Sequence, residues 1–393
     1  MINVPGNTLV PDPPRDTQIN VLPDGQVFFG FATPLELSQA NTELNLLGGT
    51  VTADTNAYGG ATLNLISGSF AGDLDLYPGS QANVAGAAVE RIDTNGGGTA
   101  TLTSGTIDRV NLDDGGRLEV GGGLASYVAF DRGGSVAVSG GRLRELADIE
   151  QNASLVVTGG VIGTGDSRTI DIEDGGSAEF NGGVVLSTVV VDGEATFSGG
   201  VFDNVVGRTD SSVTFQGAEF YRNGIPLTSL DTPGETLTTS LFEGQTITGV
   251  LADGTPFALA DNDGDSFDGV APWDRTLTLE FVPVAPAIPG EFLASASPNV
   301  VGVRNGQTVR VDAGAALSPN FTAGRGSRVI VEVGGTTSDN FEAIGSEVII
   351  DGGDVGERFG VFEDTHVDLR AGTIGEYAAV HGGNLTLSGG LAA

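Results

Sequence analysis

The feature that most constrains this chain is a period of 18 to 19 residues. Leu102, Val120, Val138, Val157, Phe180, Phe197 and Phe215 follow one another at steps of 18, 18, 19, 23, 17 and 18. Glycine-rich turns come just after them, as at Gly122-Gly123, Gly140-Gly141 and Gly199-Gly200. Earlier members are Leu44-Asn45-Leu46 and Leu63-Asn64-Leu65. Near the C-terminus, Val348-x-Ile350, Val367-x-Leu369 and Leu385-x-Leu387 recur at 19 and 18 residues, and Phe341, Phe359 and Tyr377 at 18 and 18.

A period of this length has a direct physical reading. Alternation such as Val136-Ala137-Val138 sends every second side chain to one face, the mark of a short half-buried strand. A glycine pair then turns the chain, because glycine enters positive φ without a Cβ penalty. About three short strands with their corners use up one period, and the next repeat lies on top, about 4.8 Å along the axis. One coil cannot bury a core alone, so stability comes from its neighbours. The predicted class is all-β, a parallel β-solenoid with about 18-19 residues per coil. Helices are excluded by the missing i, i+3, i+4 pattern and the glycine density. A sandwich would not register its identities at this period.

The period also divides the chain. Residues 1–39 read as an N-terminal lead-in and cap, and 40–222 as a first β-solenoid. Residues 223–282 lose the period and read as a small β cap domain, with strands near Thr246 to Leu251, Pro256 to Leu259 and Thr276 to Val282. Residues 283–298 form a Pro-rich linker and a second lead-in, since Ile288-Pro289-Gly290 matches Val4-Pro5-Gly6 at an offset of 284. Residues 299–393 read as a second, uncapped solenoid. Two tandem units joined in this way, the last with an open strand edge, predict self-association into a homopolymer through solenoid ends. The step of 23 between Val157 and Phe180 places an insertion near Gly163 to Arg168, a surface loop.

Charge narrows the function classes. There are 51 acidic residues against 17 basic ones, all arginine, for a net charge of −34. Such a surface repels phosphate, so no nucleic acid is expected as partner. The absence of cysteine excludes a disulfide scaffold. No apolar run reaches the roughly 20 residues of a membrane span. Met1 to Asp16 has neither the basic nor the apolar region of a signal peptide.

The glycine-punctuated repeats and the cap carry a resemblance. Gly345-Ser346-Glu347-Val348, Gly352 to Phe359, Thr373-Ile374-Gly375-Glu376-Tyr377 and Leu251 to Phe257 resemble the secreted, glycine-rich parallel β-solenoid repeat proteins of planctomycete-type bacteria. The resemblance covers most of the chain. It implies a right-handed coil and an extracellular or cell-surface structural role, and it brings no catalytic residues.

Candidate chemistry is sparse. Asp261, Asp263, Asp265 and Asp268 alternate along Asp261-Asn262-Asp263-Gly264-Asp265-Ser266-Phe267-Asp268. That spacing of oxygens suits calcium, the only cofactor the sequence suggests. The run departs from an EF-hand loop, with Ser266 in place of the glycine and Pro272 in place of the twelfth-position glutamate. A metal-free acidic hairpin is the competing reading. His366 and His381 lack the partners of a zinc site. Arg142, Arg144, Arg168, Arg208 and Arg222 are scattered over successive coils. The sequence therefore predicts no enzyme. It predicts an extracellular structural protein that assembles end to end into a fibre, filament or surface layer. An adhesin or carbohydrate-binding protein contacting glycans is the alternative, and a β-helix polysaccharide lyase or hydrolase the third reading.

Overall fold

A computed structural model describes residues 2–4, 7–8, 16–27, 34–38, 41–130, 133–164, 169–208, 211–241, 244–260, 276–297 and 300–392. The four acidic residues of the candidate calcium run, together with Arg168, lie outside the described residues. The structure is a parallel β-solenoid, as the period predicts. Two compact units are present, Met1–Glu179 and Phe180–Ala393.

In the first unit each strand pairs in parallel with its counterpart one coil away. Ile19, Leu44, Leu63, Ala82, Ala100, Leu118, Val136 and Leu155 stand in register as one column. All are buried, because a two-residue alternation points them inward in every coil. The intervening positions face outward and form their own ladder. Asn20 Nδ2 donates to Asn3 Oδ1 at 3.0 Å, Asn45 to Asn20 at 3.0 Å, Asn64 to Asn45 at 2.8 Å and Asn83 to Asn64 at 3.1 Å. The amides thus satisfy one another along the stack, which holds neighbouring coils in register. The lead-in takes the form of further coils, with Ile2 paired to Ile19.

The corners show why glycine recurs. Gly123 has φ +70°, and a Cβ there would stand 2.6 Å from the Gly105 carbonyl oxygen one coil below. Both the backbone angle and the close approach of stacked corners demand glycine.

In the second unit one inward column is aromatic. Phe180, Phe197 and Phe215 stack face to face, at 4.8 Å and 4.9 Å between ring centroids. Phe257 continues the stack at 5.1 Å from Phe215, although it belongs to the cap hairpin. That hairpin pairs Thr246–Leu251 antiparallel with Pro256–Ala260. Its turn is held by Asp253, whose carboxylate accepts hydrogen bonds from the Gly200 and Thr255 amides, both at 2.7 Å. Strand Ser212–Arg222 carries the change of direction. Its first half pairs in parallel with Thr276–Phe281, and its second half antiparallel with Thr246–Leu251.

The second solenoid has three faces. Strands Gln307–Val311, Arg328–Glu332, Glu347–Val355, His366–Ile374 and Asn384–Leu387 stack on one. Gly302–Val303, Thr322–Ala323, Glu342–Ile344, Gly360–Phe362 and Ala379–His381 stack on the second. Bridges from Ala316 to Thr336 and from Thr336 to Asp354 mark the third. Its core includes Val309, Val329, Val348 and Val367, with Phe341 and Phe359 stacked at 4.9 Å.

The unit boundary falls inside the stretch whose repeats read as one solenoid. A coil touches mainly its neighbours, so the ladder supplies no strong boundary of its own. The cap and second solenoid group with the last coils because they pack on them. Among the described residues no helix is long and apolar enough to cross a membrane.

Candidate functional site

Polar chemistry concentrates in a seam within the second unit, where the second solenoid lies against the cap hairpin. At its centre is Glu363, only 4% exposed. It occupies the corner after strand Gly360–Phe362. In the coil below, the corresponding corner is Gly345 with φ +53°, and in the coil above it is Gly382 with φ +93°. Glu363 holds φ +39° in the same left-handed region. A non-glycine residue at such an angle is strained, and the strain persists only where the surroundings hold it.

The surroundings do so through hydrogen bonds. Glu363 accepts from Thr246 Oγ1 at 3.2 Å, from Thr248 Oγ1 at 3.1 Å and from the Arg325 guanidinium. Arg325 also reaches Asp364 at 3.3 Å and lies over the Tyr221 ring, 3.9 Å from its centroid. Arg325 Nε is buried without a partner among the described residues. Beside the cluster, Ala258, Ile344 and Phe362 form a small apolar contact. Further along the seam, buried Asn320 donates to the Val185 carbonyl at 3.0 Å.

Glu342 is the second acid of the seam. Burial first, and then the charge of Asp203, push its carboxyl up to about 8, against a hydrogen bond from Thr322 and one with the Ala258 backbone. The side chain is half-buried by surface area; the dense packing around its carboxyl governs its protonation.

This arrangement binds the two parts together but offers little to a substrate. The cleft lined by Glu219, Tyr221, Thr248, Pro256, Arg325 and Ile344 leaves room for little more than one water molecule. Glu363 already accepts three hydrogen bonds, and Arg325 is neutralised by two carboxylates.

Among the described residues, those weighed in the sequence are not brought together. Arg142 and Arg144 flank buried Leu143 and point outward, and Arg142 donates to the Gly163 carbonyl at 3.1 Å. Arg208 pairs with Asp192 at 2.9 Å. Arg222 donates to the Ser240 carbonyl and to Gln245 at 3.2 Å. His366 is exposed at the start of its strand. His381 stacks on Phe362, with ring centroids 5.0 Å apart, and burial lowers its pKa. Among the described residues no three His, Asp or Glu side chains converge as a metal-holding group.

Sequence reasoning missed Glu363, Arg325 and Glu342. A signal existed for the first: Glu363 replaces glycine at a corner whose neighbours in the stack are Gly345 and Gly382. Nothing in the period marks the other two, because Arg325 meets Tyr221 and Glu342 meets Asp203 and the Ala258 backbone, all from distant segments of the chain.

Comparisons with protein-family models, with curated proteins and with solved structures return no match to this chain.

Proposed function

We propose that this chain is a non-enzymatic structural protein of the cell exterior, a β-solenoid subunit that joins end to end in a fibre, filament or surface layer. The observation that supports this reading is the parallel ladder itself, in which residues one coil apart pair strand upon strand through both solenoids. Coils that join by their strand edges use the same backbone groups by which a strand edge templates addition. The outward side chains add support, since the asparagine ladder and most of the arginines discussed above bind their own neighbours.

The charge of −34 opposes association, and divalent cations would relieve that repulsion. Asp261, Asp263, Asp265 and Asp268 are where calcium would be held. Electron microscopy of concentrated protein with calcium should show elongated or polymeric particles. Compact monomers alone would overturn the assembly reading. An unchanged melting temperature after chelation would overturn the calcium site separately.

A further inference from the structure

One column at a corner of the first solenoid carries a pair of aromatic rings outside the core. Tyr58 and Tyr77 are one period apart, and each directly follows an inward strand residue, Ala57 or Leu76, that pairs with the other in register. The Tyr77 amide donates to the Ala57 carbonyl at 2.9 Å, so the ladder fixes the two backbones one coil apart. Their rings lie face to face, 4.4 Å between centroids and inclined by 10°. Both are half-buried and reach the surface. The turns after them, Gly59-Gly60 and Pro78-Gly79, leave space there: a Cβ on Gly59 would meet nothing closer than the Pro78 carbonyl oxygen at 3.9 Å. The next residue of the column is Asn95, whose amide is turned to Asp75 at 3.0 Å. Among the described residues no other two tyrosines stack; Tyr127 and Tyr221 each lie under an arginine instead.

The hydroxyls are linked as well. Tyr58 is in hydrogen-bond contact with the Glu36 carboxylate and with Tyr77. A carboxylate only accepts, so Tyr58 donates to Glu36 and takes its own bond from Tyr77. Asn56 Nδ2 donates to Glu36 Oε1 at 2.8 Å and holds that carboxylate in place. Burial first, and then the charge of Glu36, keep the Tyr58 phenol above its ordinary value, so it is protonated at neutral pH. A phenol that loses an electron also sheds its proton, and here an acceptor is already bonded to it.

We propose that Tyr58 and Tyr77 form an oxidative cross-linking site, coupled to dityrosine by a peroxidase-type one-electron oxidant with hydrogen peroxide. Each phenol gives up one electron and one proton, and the proton of Tyr58 passes to Glu36. The two phenoxyl radicals join by a carbon–carbon bond between ring carbons ortho to the oxygens, which the stack already holds over one another. The hydrogens on those carbons then shift to the oxygens and restore both rings. Peroxide takes up the two electrons and two protons and leaves as two water molecules, so the protein loses two hydrogen atoms. The link ties consecutive coils in a chain that has no cysteine for a disulfide, and it constrains the unfolded chain as a disulfide would. Both tyrosines belong to one molecule, so the link is independent of end-to-end assembly.

The test oxidises dilute full-length protein with a peroxidase and hydrogen peroxide and recovers the monomer by gel filtration. The monomer should gain dityrosine fluorescence and a higher melting temperature. After cleavage at Asp73, which lies between the two tyrosines, their peptides should stay joined at the summed mass less two hydrogens. The link should be lost in Tyr58→Phe and in Tyr77→Phe, which keep the stacked rings, and retained in Tyr127→Phe, Tyr221→Phe and Tyr377→Phe. In Glu36→Gln it should form more slowly. Peptides that separate after cleavage at Asp73 would overturn the proposal. So would monomer without dityrosine, or a Tyr58→Phe variant that keeps the full fluorescence. An unchanged rate in Glu36→Gln would overturn the assignment of Glu36 as proton acceptor.

Discussion

Truncation of Phe197 to alanine probes the inward aromatic column most directly. Phe197 has no exposed surface and lies between Phe180 and Phe215, at 4.8 and 4.9 Å with rings inclined by 8° and 13°. Phe202 adds an edge contact at 5.1 Å. Removing a buried phenylalanine costs about 3–5 kcal/mol, including the cavity left behind. Each lost aromatic pair is worth about 0.5–1.5 kcal/mol beyond its area. These pairs put Phe197→Ala at the top of the range, about 4–5 kcal/mol. The strands to either side are hydrogen-bonded ladders that cannot slide inward, so collapse of the cavity is hindered. Phe197→Leu retains most of the volume and loses the stacking, so about 1–2 kcal/mol is expected. In a repeat structure such a loss is felt locally first. The assay is therefore hydrogen exchange of strands Ser177–Val185, Glu194–Phe202 and Ser212–Arg222, alongside urea unfolding followed by circular dichroism. A loss below about 2 kcal/mol for the alanine variant would refute the idea that the column is tightly packed. Equal losses for leucine and alanine would refute the argument from volume.

Two further perturbations test the corners and the outer ladder. Gly123→Ala must adopt φ +70° and approach the Gly105 carbonyl, so a loss of about 1–3 kcal/mol is expected in thermal unfolding. An unchanged melting temperature would show that the corner relaxes freely. Asn64→Ala breaks the hydrogen bonds to Asn45 and Asn83 and should cost about 1–2 kcal/mol in urea unfolding. Asn64→Asp should cost more at neutral pH, because a carboxylate would then face the Asn45 carbonyl oxygen. The ladder is not a register device if both variants match the parent.

Much of the fold was legible in the order of residues. The step from Leu102 to Val120 to Val138 is the parallel register itself, since residues one period apart become hydrogen-bonded neighbours. The glycine pairs located the corners, and Leu251 to Phe257 located the cap hairpin. The seam was hidden for a physical reason. Thr246 and Glu363 are 117 residues apart and belong to different repeat grammars, so no periodicity relates them. Glu342 looks like any outward acid of the chain until the hairpin is laid over it.

By itself the sequence determined the local rule of this protein: alternation for the strands, glycine at the corners and a constant step that stacks each coil on the last. That rule is local because a coil contacts its neighbours one period away. Tertiary structure alone decided where the second solenoid rests on the cap, and which acids lose their water there. Those outcomes depend on burial and on charges brought together from distant segments, and no spacing along the chain encodes them.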